Sequence, residues 1–334
     1  MNSEPKHKGH TPLLTDLLRD EADARAYLAE KRWPNGLVCA FQDCGGSEVT
    51  AFEVKASIRK NGKHVPSRSL YKCKACGRQF SVTKGTIFED SKIPLRTWLI
   101  VAQRMCVSKK SVSARQIERE FGVTYESAWF MCHRIRYAMT DKNPSLLSGT
   151  IEADETYVGG KARGHKKDRM GFPGAVSKGV QAARDRKTPV FGMKERGGKV
   201  RAHVIPDVDA YSVLTSIEDS VDMKRTFLMS DEARAYRWIQ SKLPYDVIRH
   251  KSEYVRGETH TQSIESFWAI LKRGLVGTYH HVDAGYLNQY VQEYAFRHNT
   301  RHISDGERFN ALLGQISGRV DWYLGQQASE REPS

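Results

Sequence analysis

No apolar run in this chain of 334 residues approaches the ~18 needed to span a bilayer, and no signal peptide opens it. A cytoplasmic protein is therefore expected. Cysteine is scarce. Six in so long a chain are too few for a disulfide scaffold, and four of them fall into metal-like pairs, as expected of a reducing compartment. Acidic residues are in deficit too, with 39 Asp and Glu against 53 Lys and Arg, leaving a net charge of +14. Such an excess points to a polyanionic partner, and nucleic acid is favoured over an acidic membrane. The length leaves room for two or three domains with a real core.

The cysteine pairs are Cys39 with Cys44, and Cys73 with Cys76 in the run Cys73-Lys74-Ala75-Cys76-Gly77. Two pairs of thiolates, one of them a tight CxxCG knuckle, match one structural, tetrahedral Zn²⁺ with no open position. The first pair has a wider spacing than the second, and buried free cysteines are the plainer alternative. Between the pairs, Phe52, Val54 and Ile58 with a turn at Lys60-Asn61-Gly62-Lys63 read as a strand hairpin. This region is expected to be a zinc ribbon. Cys106 and Cys132 stand alone on apolar helix faces and read as core residues.

After Pro94, the spacing of Leu95, Trp98, Leu99, Ala102, Met105 and Cys106 predicts a helix. A second runs from Ser113 through Ile117 and Phe121 to a stop at Gly122, and Thr124 caps a third. In the third, Ala128, Met131, Cys132 and Ile135 are read as facing inward and Tyr125, His133, Arg134 and Arg136 as facing outward. Helix, glycine turn and basic helix make a helix-turn-helix-like pattern, with Arg134 and Arg136 as DNA contacts; a plain three-helix linker is the alternative.

Two strand-like runs end in acids, Thr150 to Val158 with Asp154 and Arg225 to Glu232 with Asp231. A helix beginning near Thr261 carries an apolar stripe of Ile264, Phe267, Trp268, Leu271 and Leu275, with Glu265 and Lys272 two turns apart along its edge. Asp154, Asp231 and Glu265 therefore make a candidate carboxylate triad. Oxygen-rich sites of this kind hold Mg²⁺ or Mn²⁺, and two such ions suit phosphodiester cleavage or strand transfer. Ordinary solvated charges are the plain alternative for the helix, and Glu155 and Glu232, next to the two aspartates, compete with them. Between positions 158 and 188, nine Lys or Arg oppose Asp168 and Asp185, a net +7 (9 − 2), half the charge of the chain. Such a run reads as a solvated or disordered loop in the free protein; starting next to Asp154 in sequence, it could also clamp phosphates with Lys161, Arg163, Lys166 and Lys167.

The runs Glu152-Ala153-Asp154-Glu155-Thr156-Tyr157-Val158-Gly159-Gly160-Lys161, Ile264-Glu265-Ser266-Phe267-Trp268, Lys272-Arg273-Gly274 and Gly277-Thr278-Tyr279-His280-His281 resemble bacterial insertion-sequence DDE transposases of the ISXO-like group. The resemblance extends from about Trp33 to Asn310. It implies an N-terminal zinc ribbon and a ribonuclease-H-like catalytic domain. It also implies that Asp154, Asp231 and Glu265 are the metal-binding acids and that Lys272, with Arg273 beside it, contacts the element end. At one place the chain departs from the pattern: many members carry Asn three residues before the helix glutamate, some using it in place of an acid, and here Gln262 stands there. The third ligand is therefore Glu265 or Gln262.

The expected fold is multidomain α+β: a helical lead-in over 1–30, a zinc ribbon over 31–90 and a helix-turn-helix-like region over 91–145. A ribonuclease-H-like α/β domain with a mixed sheet follows over 149–315, and then a tail over 316–334. The expected function is a transposase that cuts element ends and joins the 3′-hydroxyl to target DNA. Its expected cofactors are one structural Zn²⁺ and two catalytic Mg²⁺ or Mn²⁺. Double-stranded DNA is the expected partner, with no membrane and with a homo-oligomer on DNA. A DNA-binding regulator with an inactive catalytic domain, and a nuclease without strand transfer, are the alternatives.

Overall fold

Side-chain caps start several of the helices in the computed structural model, which describes residues 14–58, 60, 62, 64–65, 67–159, 187–231, 236, 239–248 and 261–318. Side chains at 64, 65, 231, 240, 247 and 248 are not among those described. The expected frayed start at 1–10, the basic segment at 160–186, Glu232 and the tail beyond 318 also lie outside the described residues. The chain forms two units, residues 1–138 with 303–334, and residues 139–302.

In the first unit, α1 (Leu14–Leu17) leads into α2 (Glu21–Arg32), whose first turn is capped by the Asp20 carboxylate. The ribbon follows: β1 (Val49–Val54) runs antiparallel to β4 (Arg68–Cys73), which pairs with β5 (Gln79–Phe80). At the far end of the hairpin β2 (Ser57–Ile58) and β3 (His64–Val65) form a small ladder of their own. Helix α3 (Leu95–Val107) begins after Pro94, which has no side chain able to cap it. Glu21 of α2 caps it instead, accepting hydrogen bonds from the Leu95 and Arg96 amides at 3.0 and 3.1 Å. Helix α4 (Ala114–Phe121) starts at the Ser113 cap and stops at Gly122, whose φ of 64° suits a residue with no Cβ. Helix α5 (Tyr125–Ala138) begins after Thr124, whose hydroxyl accepts from the Ser127 amide.

The outward reading of α5 is corrected by the structure. His133 and Arg136 are each 1% exposed and Arg134 8%. The Arg134 guanidinium donates to the carbonyls of Ile87 and Glu89, both at 2.9 Å, and lies 4.5 Å over the Phe130 ring. His133 packs its ring 4.2 Å from that of Trp129, and Tyr125 is half-buried with Arg115 over its ring at 4.1 Å. The charge of Arg134 thus satisfies loop carbonyls inside the unit, and neither Arg134 nor Arg136 stands on an exposed face. The last described helix, α9 (Asp305–Leu313), comes after the second unit in sequence but packs on α2 and α3.

The second unit is a five-stranded sheet. It comprises β6 (Leu147–Val158), β7 (Thr188–Glu195), β8 (Val200–Val204), β9 (Val221–Asp231) and β10 (Tyr245–Ile248). Their order across the sheet is β10-β9-β6-β7-β8, with β6–β7 and β7–β8 antiparallel and β6–β9 and β9–β10 parallel. This mixed sheet is ribonuclease-H-like. Alternation along β6 and β7 separates two cores. Ile151, Ala153, Phe191 and Met193 face α6 (Ala210–Glu218) through Val213 and Ile217. On the other side, Val190 of β7 joins Val200 and Ala202 of β8 beneath α7 (Gln262–Gly274) and α8 (Ala284–Asn299). Helix α7 runs on into a π-helical turn at Leu275–Tyr279. Among the described residues no helix is long and apolar enough to cross a membrane.

Candidate active site

The central strand β6 puts Glu152 and Asp154 on one face and Ala153 and Glu155 on the other. Its parallel register with β9 pairs Ile151 with Leu228 and Glu152 with Met229. Position 154 is as far from 231 in sequence as 152 is from 229, so the same register carried two residues on sets Asp154 level with Asp231, where β9 ends. Paired strands lie about 4.8 Å apart, the spacing the two positions would have if the pairing ran on that far.

Helix α7 lies over this part of the sheet because Ile264, Phe267, Trp268 and Leu271 bury the stripe read from the sequence. Trp268 also ties the helix to the site, its Nε1 donating to Asp154 Oδ2 at 2.9 Å. The indole fits because the residue paired with Asp154 across β6–β7 is Gly192. A Cβ there would stand 2.5 Å from two indole carbons. Glu265, three residues before Trp268, lies in the first turn of α7 and is exposed, with the Thr261 hydroxyl donating to its Oε1 at 3.3 Å. Gln262, the first residue of the helix, is exposed as well. Lys272 and Arg273 are exposed in the last turn, about 10 Å along the axis from Glu265.

Of the competing acids, Glu155 projects from the opposite face and accepts from the Tyr236 hydroxyl at 2.9 Å. Glu152, not singled out from the sequence, is fully buried and bonded to the start of α7: its Oε2 accepts from the Ser263 and Ile264 amides at 2.8 and 3.1 Å. Its Oε1 pairs with Arg196 Nε at 3.2 Å. Across β6–β7, Lys194 is the partner of Glu152 and donates from Nζ to the Ser263 carbonyl at 3.0 Å. Burial pushes the Lys194 ammonium below its ordinary range, and Glu152 opposes that shift. The period-two pattern of β6 held the available signal, since it puts position 152 on the face of Asp154. Lys161, Arg163, Lys166 and Lys167 are in the 160–186 segment, outside the described residues.

In the first unit the four cysteine sulfurs lie within 4.8 Å of one another, with Cys39 to Cys76 at 3.8 Å and Cys44 to Cys73 at 3.7 Å. Zn–S bonds near 2.3 Å in a tetrahedron separate sulfurs by about 3.8 Å, so the cluster fits zinc. Gly77, at φ 70°, turns the second knuckle so that its amide bonds the Cys73 carbonyl at 2.9 Å. Burial pushes the Cys39 thiol up to about 12, while Arg78 holds Cys76 down to about 6. A Zn²⁺ among the four sulfurs would favour the thiolate form against that burial.

Two family models match the chain. Residues 146–299 match the ISXO2-like transposase domain, and residues 19–79 match the transposase zinc-ribbon domain. The chain is similar to an uncharacterized protein in transposable element ISH50 of Halobacterium salinarum, 28% identical over 298 residues, covering 88% of this chain and 96% of that one.

Proposed function

Because this chain belongs to the ISXO2-like insertion-sequence transposases, carrying both the catalytic domain and the zinc ribbon of that family, we propose that it cuts DNA at element ends and joins the freed 3′-hydroxyl to target DNA. In this reading Asp154, Asp231 and Glu265 are the acids that hold catalytic divalent cations. The observation that carries it is the Trp268 bond that ties the helix of Glu265 to Asp154, supported by a β6–β9 register that, continued two residues past Glu152 and Met229, leads to Asp154 and Asp231. Hard carboxylate oxygens from adjacent strands suit Mg²⁺ or Mn²⁺. Two such cations supply the charge that activates an attacking hydroxyl and stabilises the leaving oxygen of a phosphodiester.

The residues of the chain do the rest. Trp268 holds the Asp154 carboxylate through its Nε1, so Asp154 would take up a cation without being reordered. Glu265, exposed in the first turn of α7, completes the set from above the sheet. Lys272 and Arg273 offer cations to the DNA backbone two turns along the same helix, keeping the scissile phosphate in register with the acids. Hydrolysis breaks one P–O bond and leaves a 3′-hydroxyl. Attack by that hydroxyl on a target phosphate forms one P–O bond and breaks another, so neither step needs a covalent enzyme intermediate. Two ends brought to one target call for a homo-oligomer on DNA, working in the cytoplasm.

Asp154→Asn, Asp231→Asn and Glu265→Gln are each expected to lower cleavage of an end-bearing duplex by at least about a thousandfold while end binding changes little. Lys272→Ala is expected to weaken end binding and keep some cleavage, and Gln262→Ala to be milder than Glu265→Gln. Cleavage by Glu265→Gln together with its loss in Gln262→Ala would transfer the third position to the amide. A wild-type protein that cleaves but never joins a pre-cut end to target would be a nuclease, and one that only binds would be a regulator.

A further inference from the structure

We propose that Glu152 and Lys194 are positioning residues that grip the main chain of Ser263 from two neighbouring strands and so set where Glu265 and Gln262 stand relative to Asp154. This rests on reading Glu265 or Gln262 as the third ligand. The first amides of a helix have no partner within it, and Thr261, the residue before α7, makes no side-chain bond to them. The sheet supplies what the helix lacks. Glu152 accepts from the amides of Ser263 and Ile264, and Lys194 donates to the carbonyl of the same Ser263. Both polar groups of one peptide residue are therefore held by two side chains that face each other across β6–β7.

A fully buried carboxylate is costly unless compensated. Arg196 and the positive end of α7 both compensate Glu152. With both oxygens engaged by protein donors, Glu152 is a cap and not a third strand-borne metal ligand, although it shares the face of Asp154.

The second attachment is the Trp268 bond to Asp154. From Glu152 to Asp154 is about 6.6 Å along a strand, and from Ser263 or Ile264 to Trp268 is about 6 to 7.5 Å along a helix. The two attachments have matching spacings, so α7 can neither slide along β6 nor roll on it without breaking one. Glu265 lies between them.

The test compares Glu152→Ala, Glu152→Gln and Lys194→Met in the full chain by amide hydrogen exchange, metal-dependent cleavage and end binding. Glu152→Ala is expected to speed exchange at Ser263 and Ile264 at least about tenfold, and to cut cleavage by roughly a hundredfold, the cost of about an ångström of misplacement. End binding should stay within about twofold, which a general loss of structure would not allow. Glu152→Gln keeps an oxygen that accepts both amides, so its cleavage should recover to within about tenfold of wild type. Lys194→Met leaves Glu152 in place and still should speed exchange at the first turn of α7, which keeps the proposal testable if Glu152→Ala fails to fold. A Glu152→Gln protein as inactive as Asp154→Asn, with the first turn still protected, would make Glu152 a metal-binding acid and overturn the proposal. Unchanged exchange at Ser263 and Ile264 in Glu152→Ala or Lys194→Met would overturn it as well. Should Asp154→Asn and Glu265→Gln keep cleaving, the assignment of the catalytic acids fails, and exchange at Ser263 and Ile264 still decides whether the clamp exists.

Discussion

Gly192 shows how one missing side chain places another. Glycine inside a strand weakens it unless something else uses the space, and here the Trp268 indole occupies it, reaching Asp154 over the glycine. A methyl group at 192 would stand 2.5 Å from a rigid ring, so the ring has to move and its Nε1 loses the carboxylate. Gly192→Ala is therefore expected to destabilise the second unit by about 1–3 kcal/mol and to lower cleavage about tenfold or more with end binding retained. Thermal unfolding and cleavage assays check both parts; an alanine variant with wild-type stability and rate would show that the indole is not held where Asp154 needs it. Gly274 makes a comparable opening on the other side of α7, where a Cβ would collide with the Tyr294 hydroxyl.

Among the elements, α3 and α7 share a device: neither is capped by the residue before it, and each takes a carboxylate from elsewhere, Glu21 for α3 and Glu152 for α7. Cap signals read along a sequence look three or four residues away, so such partners are invisible to them. The ribbon is the opposite case. Its chemistry lies in two short cysteine pairs and was legible throughout, and its stability should depend on the metal, because strands as short as β5, Gln79–Phe80, cannot hold a sheet alone. One zinc per chain is expected by elemental analysis. Cys73→Ser should release it and lower the melting of the first unit, with the second unit unaffected. Metal-free protein whose first unit melts as before would refute a structural role for zinc.

For the whole molecule the governing quantity is the net charge of +14, half of it between positions 158 and 188. Phosphate contacts from that stretch would bind DNA without regard to sequence. Neutralising Lys161, Arg163, Lys166 and Lys167 is expected to flatten the dependence of binding on salt by roughly 0.9 of a slope unit per lost contact, up to about 3.6. An unchanged slope would mean that the stretch is merely solvated. The sequence by itself determined the zinc knuckles, the starts of α3 and α5, the start and stop of α4, the alternation of β6, and the stripe on α7. Each of these is written within a few neighbouring residues, where backbone geometry and periodicity act. Only the tertiary structure decided that Arg134 and Arg136 turn inward, that α9 packs in the first unit, and that Glu152, Lys194 and Gly192 stand around the start of α7. Burial and borrowed caps depend on partners as far apart as Glu152 and Ser263, and no local pattern records which distant strand a helix will meet.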